Sequence, residues 1–226
     1  YGWDTSAYGV GSDTGNGFGM TYGANISSYD NLQYHTPAGM LPLGATFAIA
    51  YSPTGQAQFS SGGTATVNAG TIADATQYRI KLAPVDGLDI GADYMSQDAS
   101  NDVEQEGEHG SYYAKYTAGP VSVGYGKSFN AIALTSLTDG YTAAKDTALA
   151  DYESIENRSY GIGFTVNDNL SVSYTNEESN PDAMTAATAT YTMEITSIQL
   201  AYSMGGMTLS LSQDSAENSD YVQNQD

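Results

Sequence analysis

Between residues 157 and 178 the chain alternates with a period of two. Tyr160, Ile162, Phe164 and Val166 are separated by Gly161, Gly163 and Thr165. After Asn167-Asp168-Asn169 the alternation resumes, with Leu170, Val172 and Tyr174 set against Ser171, Ser173 and Thr175. A period of two broken by a polar turn predicts an antiparallel hairpin. Its two faces are unlike. One is a ladder of aliphatic residues with aromatics at its ends, and the other is almost wholly Gly, Ser and Thr.

The same pattern recurs along the chain. Leu32, Tyr34 and Thr36 alternate with Asn31, Gln33 and His35, and a turn over Pro37–Pro42 leads to Phe47, Ile49 and Tyr51 against Thr46, Ala48 and Ala50. Tyr78, Ile80 and Leu82 oppose Gln77, Arg79 and Lys81; beyond Pro84-Val85-Asp86-Gly87, Leu88, Ile90, Ala92 and Tyr94 oppose Asp89, Gly91 and Asp93. Tyr112, Ala114 and Tyr116 precede a turn at Gly119-Pro120, and Val121, Val123 and Tyr125 follow it. Ile198, Leu200 and Tyr202 precede Gly205-Gly206, and Met207, Leu209 and Leu211 follow it. The expectation is about ten strands in five hairpins, with tight turns at one end and long polar loops at the other. Apolar outward, small and polar inward, aromatic at both rims is the pattern of a transmembrane β-barrel. Tyr78, Tyr94, Tyr112, Tyr125, Tyr160 and Tyr174 would form one aromatic girdle, and Tyr116, Phe164 and Tyr202 the other.

Composition sharpens this picture. Tyr occurs 19 times against 5 Phe and 1 Trp, and tyrosine suits a site where one end of a ring is apolar and the other wet. The 26 acidic residues against 6 basic ones give a formal charge of −20. Such a chain is a poor partner for nucleic acid, which requires clustered Lys and Arg. The absence of cysteine excludes thiolate metal sites, disulfides and a Cys nucleophile. No run of about 18 apolar residues predicts a membrane-crossing helix.

Candidate chemistry is sparse. No Gly-x-Ser-x-Gly elbow precedes a helix, so no Ser-His-Asp arrangement is supported; Gly15-Asn16-Gly17-Phe18-Gly19 lacks a following helix to hold a phosphate. Asp89 and Asp93 could form a glycosidase couple, but same-face neighbours on a strand read more simply as lining of a lumen. His35 falls on the polar strand face, whereas His109, between Glu108 and a Gly, is expected on an exposed loop. Carboxylates with backbone carbonyls hold calcium, and loops 98–109 and 139–156 are rich enough in them for a site, though no EF-hand spacing occurs. A diffuse cation atmosphere is the default reading there, with a specific calcium site the alternative. Lys127 and Arg158 fall on the apolar parity beside long loops, within reach of water.

In Asp30-Asn31-Leu32-Gln33-Tyr34-His35-Thr36-Pro37 and Gly44-Ala45-Thr46-Phe47-Ala48-Ile49-Ala50-Tyr51-Ser52, and in the hairpins around Tyr160–Tyr174 and Ile198–Leu211, the chain resembles the general diffusion porins of Gram-negative outer membranes. The resemblance implies a single domain of a sixteen-stranded, antiparallel, up-and-down transmembrane barrel that assembles as a homotrimer. About ten of those strands would be present, with five more before Tyr1 and one after Asp226. It also implies that residues 1–28 belong to the loop that folds inward and narrows the pore, with Asp4 and Asp13 as its acidic residues. Residues 29–215 would hold the hairpins, and 216–226 would begin a further loop.

The reading is thus a non-enzymatic outer-membrane channel for passive diffusion of small hydrophilic solutes and ions, with no organic cofactor. Gln33, His35, Arg79, Lys81, Asp89, Asp93 and Lys115 are the expected lumen-facing side chains. The acidic mouth favours cations and the basic trio Arg79, Lys81 and Lys115 tempers that preference. A secreted, acidic β-sandwich binding calcium or carbohydrate through its loops is the second reading, and a barrel enzyme the third.

Overall fold

The computed structural model describes residues 26, 31–53, 72–100, 102–131, 133–134, 152–183, 191–218 and 223. Asp4, Asp13, the Gly15–Gly19 run and residues 139–151 lie outside them. Ten strands form one antiparallel sheet in strict chain order. They are β1 (Leu32–His35), β2 (Thr46–Ser52), β3 (Ile72–Leu82), β4 (Leu88–Ala99), β5 (Gly107–Ala118), β6 (Val121–Ala131), β7 (Tyr152–Asn167), β8 (Leu170–Ala183), β9 (Met193–Met204) and β10 (Met207–Glu217). Each strand pairs with its neighbours in sequence, and the sheet does not close: β1 and β10 are its two edges.

Local chemistry sets the turns. Asn167 folds back so that its side-chain oxygen accepts the Asn169 backbone N–H at 2.9 Å, the usual way Asn competes with strand pairing. Gly87 has φ +81°, and its carbonyl accepts the Thr117 N–H at 2.8 Å. A Cβ at Gly87 would sit 2.1 Å from the Thr117 carbonyl oxygen, so only glycine allows this turn to lie against the end of β5.

Burial separates the two faces of the sheet. On β7 and β8, Ile162 is 48% exposed and Phe164 43%, while Ser159, Ser173 and Thr175 are buried. The large apolar side chains of the other strands behave alike: Ile80, Tyr112, Val123, Ile198, Leu209 and Leu211 are all exposed. Among the described residues the buried apolar cluster is small: Ile26, Ala75 and Met95 with Ala50 against it. It lies on the small-residue face. Among the described residues no second layer covers the apolar face, and no helix is long and apolar enough to cross a membrane.

The aromatic residues run obliquely across the sheet. The register row that starts at Tyr78 passes Tyr94, Gly110, Phe129 and Glu156 and reaches β8 at Asn180. The tyrosine line instead descends through Tyr112, Tyr125 and Tyr160 to Tyr174, six residues from Asn180 on that strand. Six residues at about 3.4 Å, over five strand spacings of about 4.8 Å, give an angle of about 40° between band and rows. At the turn end, Tyr116 shares a row with Ile198 of β9, and Tyr202 lies four residues further on. That second band makes an angle of about 35° with the rows. The two bands are close to parallel.

Candidate functional site: the polar face of the sheet

Chemistry-bearing side chains gather on the small-residue face of β1–β5. Register places His35, Ala48, Arg79, Asp93 and Ser111 in one row, and Gln33, Ala50, Gln77, Met95 and His109 in the next. Toward the turns, Lys81 shares a row with Gly91 and Tyr113, and Asp89 lies opposite Lys115. The period-two parity therefore puts all seven expected side chains, Gln33, His35, Arg79, Lys81, Asp89, Asp93 and Lys115, on one face. They do not converge on a point. Spread over four of the strands β1–β5, they form a patch of alternating sign.

Within that patch the carboxylates are held. Asp93 is buried, accepting from Gln77 Nε2 at 3.1 Å and from the Ser111 hydroxyl, and it lies opposite Arg79 in the register. Asp89 pairs with Lys81 Nζ at 2.9 Å and accepts the Tyr113 hydroxyl at 3.1 Å. Beyond Ser111 the row continues as hydrogen-bonded small polar groups: Asn157 Nδ2 donates to Ser128 Oγ at 3.3 Å, and Ser179 donates to Asn157 Oδ1 at 2.6 Å. Gln77, Ser111 and Tyr113 were not singled out from the sequence. Their parity was visible, but their partnership with Asp93 and Asp89 depends on cross-strand register, which no local pattern carries.

Two positions differ from expectation. His109 is not on an exposed loop. It lies on β5, 1% exposed, with its Nε2 3.0 Å from Gln97 Oε1. The reason is that β4 and β5 stay paired up to Gln97 and Gly107, so the polar residues above Tyr112 continue the strand. The second position is Ile26, which no motif marked. It is buried on the polar face against Ala75 and Met95, and its N–H donates to Gln77 Oε1 at 3.3 Å.

The acidic stretch between β4 and β5 is tied down by its own carboxylates. Glu106 accepts the Ala99 N–H at 2.6 Å and Glu108 accepts the Tyr94 hydroxyl at 2.9 Å. Gln105 bridges to Leu134 and donates its side-chain amide to the Glu153 carbonyl at 2.8 Å. Among the described residues no three His, Asp or Glu are placed to hold a metal ion. On the opposite, apolar face, Lys127 pairs with Glu156 at 2.7 Å and Arg158 with Glu178.

Comparison with protein-family models and with curated proteins finds no match. What this face can do must follow from its own side chains. It carries fixed charges, amides and hydroxyls on one continuous antiparallel sheet.

Proposed function

We propose that this chain forms part of the wall of a general diffusion porin in a Gram-negative outer membrane, a passive and non-enzymatic channel for small hydrophilic solutes and ions. The observation that carries the reading is the inverted burial: a continuous apolar face is exposed, bounded by two oblique aromatic bands, while small polar residues are buried. Exposed apolar area on this scale is foreign to a water-soluble monomer. It suits lipid.

The obliquity of the bands supports the same reading. Strands of a closed barrel tilt by about 35–45° from the barrel axis, so a girdle level with the membrane crosses the hydrogen-bonding rows at that angle. The bands here do so at about 40° and about 35°. A β-sandwich has no reason to align its tyrosines this way, and it requires a second sheet over the apolar face. Membrane-crossing strands need about 9–11 residues. β7 with 16 and β8 with 14 would project beyond the bilayer at their loop ends, where Lys127, Arg158 and their glutamates lie.

On this reading β1 and β10 cannot remain edges, because unpaired backbone groups are not tolerated in hydrocarbon. Further strands complete the ring, to sixteen by the resemblance, and three such rings form the trimer. The channel is mildly cation-preferring. Its basic side chains Arg79, Lys81 and Lys115 face Asp93 and Asp89 at contact distance or in register, whereas the mouth is acidic. At physiological salt the Debye length is about 8 Å, so charges on the wall act on each passing ion more than those at the mouth.

The test is reconstitution of the detergent-purified protein into planar lipid bilayers. Stepwise, ohmic conductance with a weakly cation-selective reversal potential is expected. A protein that stays monomeric and soluble without detergent, or spin labels at Ile162 and Val172 reporting a closed apolar core, would overturn the reading.

A further inference from the structure

The β9–β10 hairpin turns through Gly205 and Gly206, both at positive φ, +58° and +86°. These are the signs of a type I′ turn, which matches the twist of paired strands. So short a turn fixes the register and makes Met204 and Met207 direct cross-strand partners. Their Cβ atoms lie on one face, about 5 Å apart. On the other face the next rung is tied, with Ser203 Oγ 3.1 Å from Thr208 Oγ1. The Ser203 N–H donates to the Asn169 carbonyl at 2.7 Å, which anchors the tip to the β7–β8 turn. Both methionines are exposed, Met204 by 56% and Met207 by 60%.

The other tight hairpins fill the corresponding positions differently. Leu82 and Leu88 flank the β3–β4 turn, Ala118 and Val121 the β5–β6 turn, and Val166 and Leu170 the β7–β8 turn. All six are aliphatic, which is enough to finish an apolar face. Among the described hairpins, only β9–β10 sets two thioethers opposite each other. The pair also lies beyond Tyr202 toward the turn, outside the aromatic band. An apolar lining does not call for sulfur there.

A thioether is a soft, polarizable donor on a flexible, unbranched side chain. Soft sulfur ligands select Cu(I) among the first-row metals, and Ag(I) shares its charge, closed d shell and softness. Two such donors on one face of a pinned hairpin can close on a single ion from opposite sides. Among the described residues no group of three or more His, Cys, Asp or Glu is placed to hold a harder ion instead. We infer that Met204 and Met207 form a two-thioether site for soft monovalent cations of the Cu(I) and Ag(I) class. The ion is held by ligation alone, with no change of oxidation state. The site does not depend on the channel reading, and its failure would leave that reading untouched.

Ag(I), added as its nitrate in chloride-free buffer, is the probe, and methionine-methyl NMR of the detergent-purified chain is the readout. Met40 is the internal control: it is 62% exposed and has no methionine beside it in sequence. The Met204 and Met207 methyl signals, assigned from Met204→Leu and Met207→Leu, should shift together and saturate with one silver ion per chain. Because the second thioether is held at high effective concentration, they should respond at about tenfold less silver than Met40. Met204→Leu, which nearly conserves volume, should bring the response of Met207 down to that of Met40. Zn(II) should move neither signal. The wild-type titration stands without any variant. Signals that move no earlier than that of Met40, a Met207 response indifferent to Met204→Leu, or an equal response to Zn(II) overturns the inference.

Discussion

The polar face has two unlike halves. On β1–β5 it carries Gln33, His35, Gln77, Arg79, Lys81, Asp89, Asp93, His109, Tyr113 and Lys115; across β6 and β7 the same rows hold Gly124, Gly126, Ser128, Ser159 and Gly161, with Asn130, Ile155 and Asn157 toward the loops. β8 to β10 continue with Ser173, Thr175, Ser197, Gln199, Ser210 and Ser212, interrupted by Glu177 and Asp214. The first half therefore supplies field and specific hydrogen bonds, and the second supplies polarity with little volume. On the channel reading, such a wall separates two properties. Selectivity resides where side chains are long and charged, and clearance where they are short.

The largest effect should come from violating what both halves share. Ile162 lies between the two aromatic bands on the exposed apolar face, and on the channel reading Ile162→Arg places a charge in hydrocarbon at about 2–4 kcal/mol. Gly163→Arg, next to it on the polar face, should cost far less. Urea titrations of folding into detergent micelles or lipid vesicles would show the difference, and equal losses would remove the distinction between the faces.

Next in size is the contrast between the halves. Replacing Arg79, Lys81 and Lys115 together with glutamine should move the reversal potential further toward cations, because the carboxylates of Asp89 and Asp93 lose their counter-charges. Replacing Gly161 and Ser173 with leucine should lower conductance and leave the reversal potential in place. If the triple variant does not shift the reversal potential, these side chains do not line the narrow part of a pore.

A smaller effect is expected at Gly110. The Phe129 ring lies over it, so that a Cβ would meet the ring at 2.4 Å, and Tyr94 approaches the same ring with centroids 6.5 Å apart. Gly110→Ala must push the ring aside and disturb that aromatic pair, a loss of about 1 kcal/mol, measurable as a lower urea midpoint.

The smallest effect concerns pH at the loop end of β7. Glu153 has its carboxyl held above the ordinary 4.5, by burial first and then by neighbouring Asp182. The folded chain holds that proton more tightly than the unfolded one. Its contribution is complete below about pH 4.5 and fades as pH rises through the elevated value. Amide exchange near Glu153 and Asp182, corrected for intrinsic rates, should be slower at pH 4.5 than at pH 7.

Strand order, turn positions and face parity were legible because each hairpin pairs a period of two with Asn, Gly or Pro at its turn. Strand length was less so. β4 runs on to Ala99 and β5 begins at Gly107, through residues such as Ser96, Gln97 and Glu108 that lack apolar alternation, which is why His109 was expected in a loop. Its spacing of two from Ser111 and four from Tyr113 was the available clue. The polar-face residues were recognisable by parity alone. The bond between Ile26 and Gln77, 51 positions apart, was not, since Ile26 left no local signal.

The stagger of the hairpins has a geometric consequence. Each tight turn lies two residues beyond the last: Val121 passes the row of Leu88, Leu170 that of Val121, and Met207 that of Leu170. A strand leaning by about 40° occupies about 6 Å of circumference, where an upright one would occupy about 4.8 Å. On the channel reading, the same backbone hydrogen bonds would enclose a ring wider by about a third, with no added residues. Width is gained from slant, and a one-residue slip at any turn would exchange the two faces of the strand beyond it.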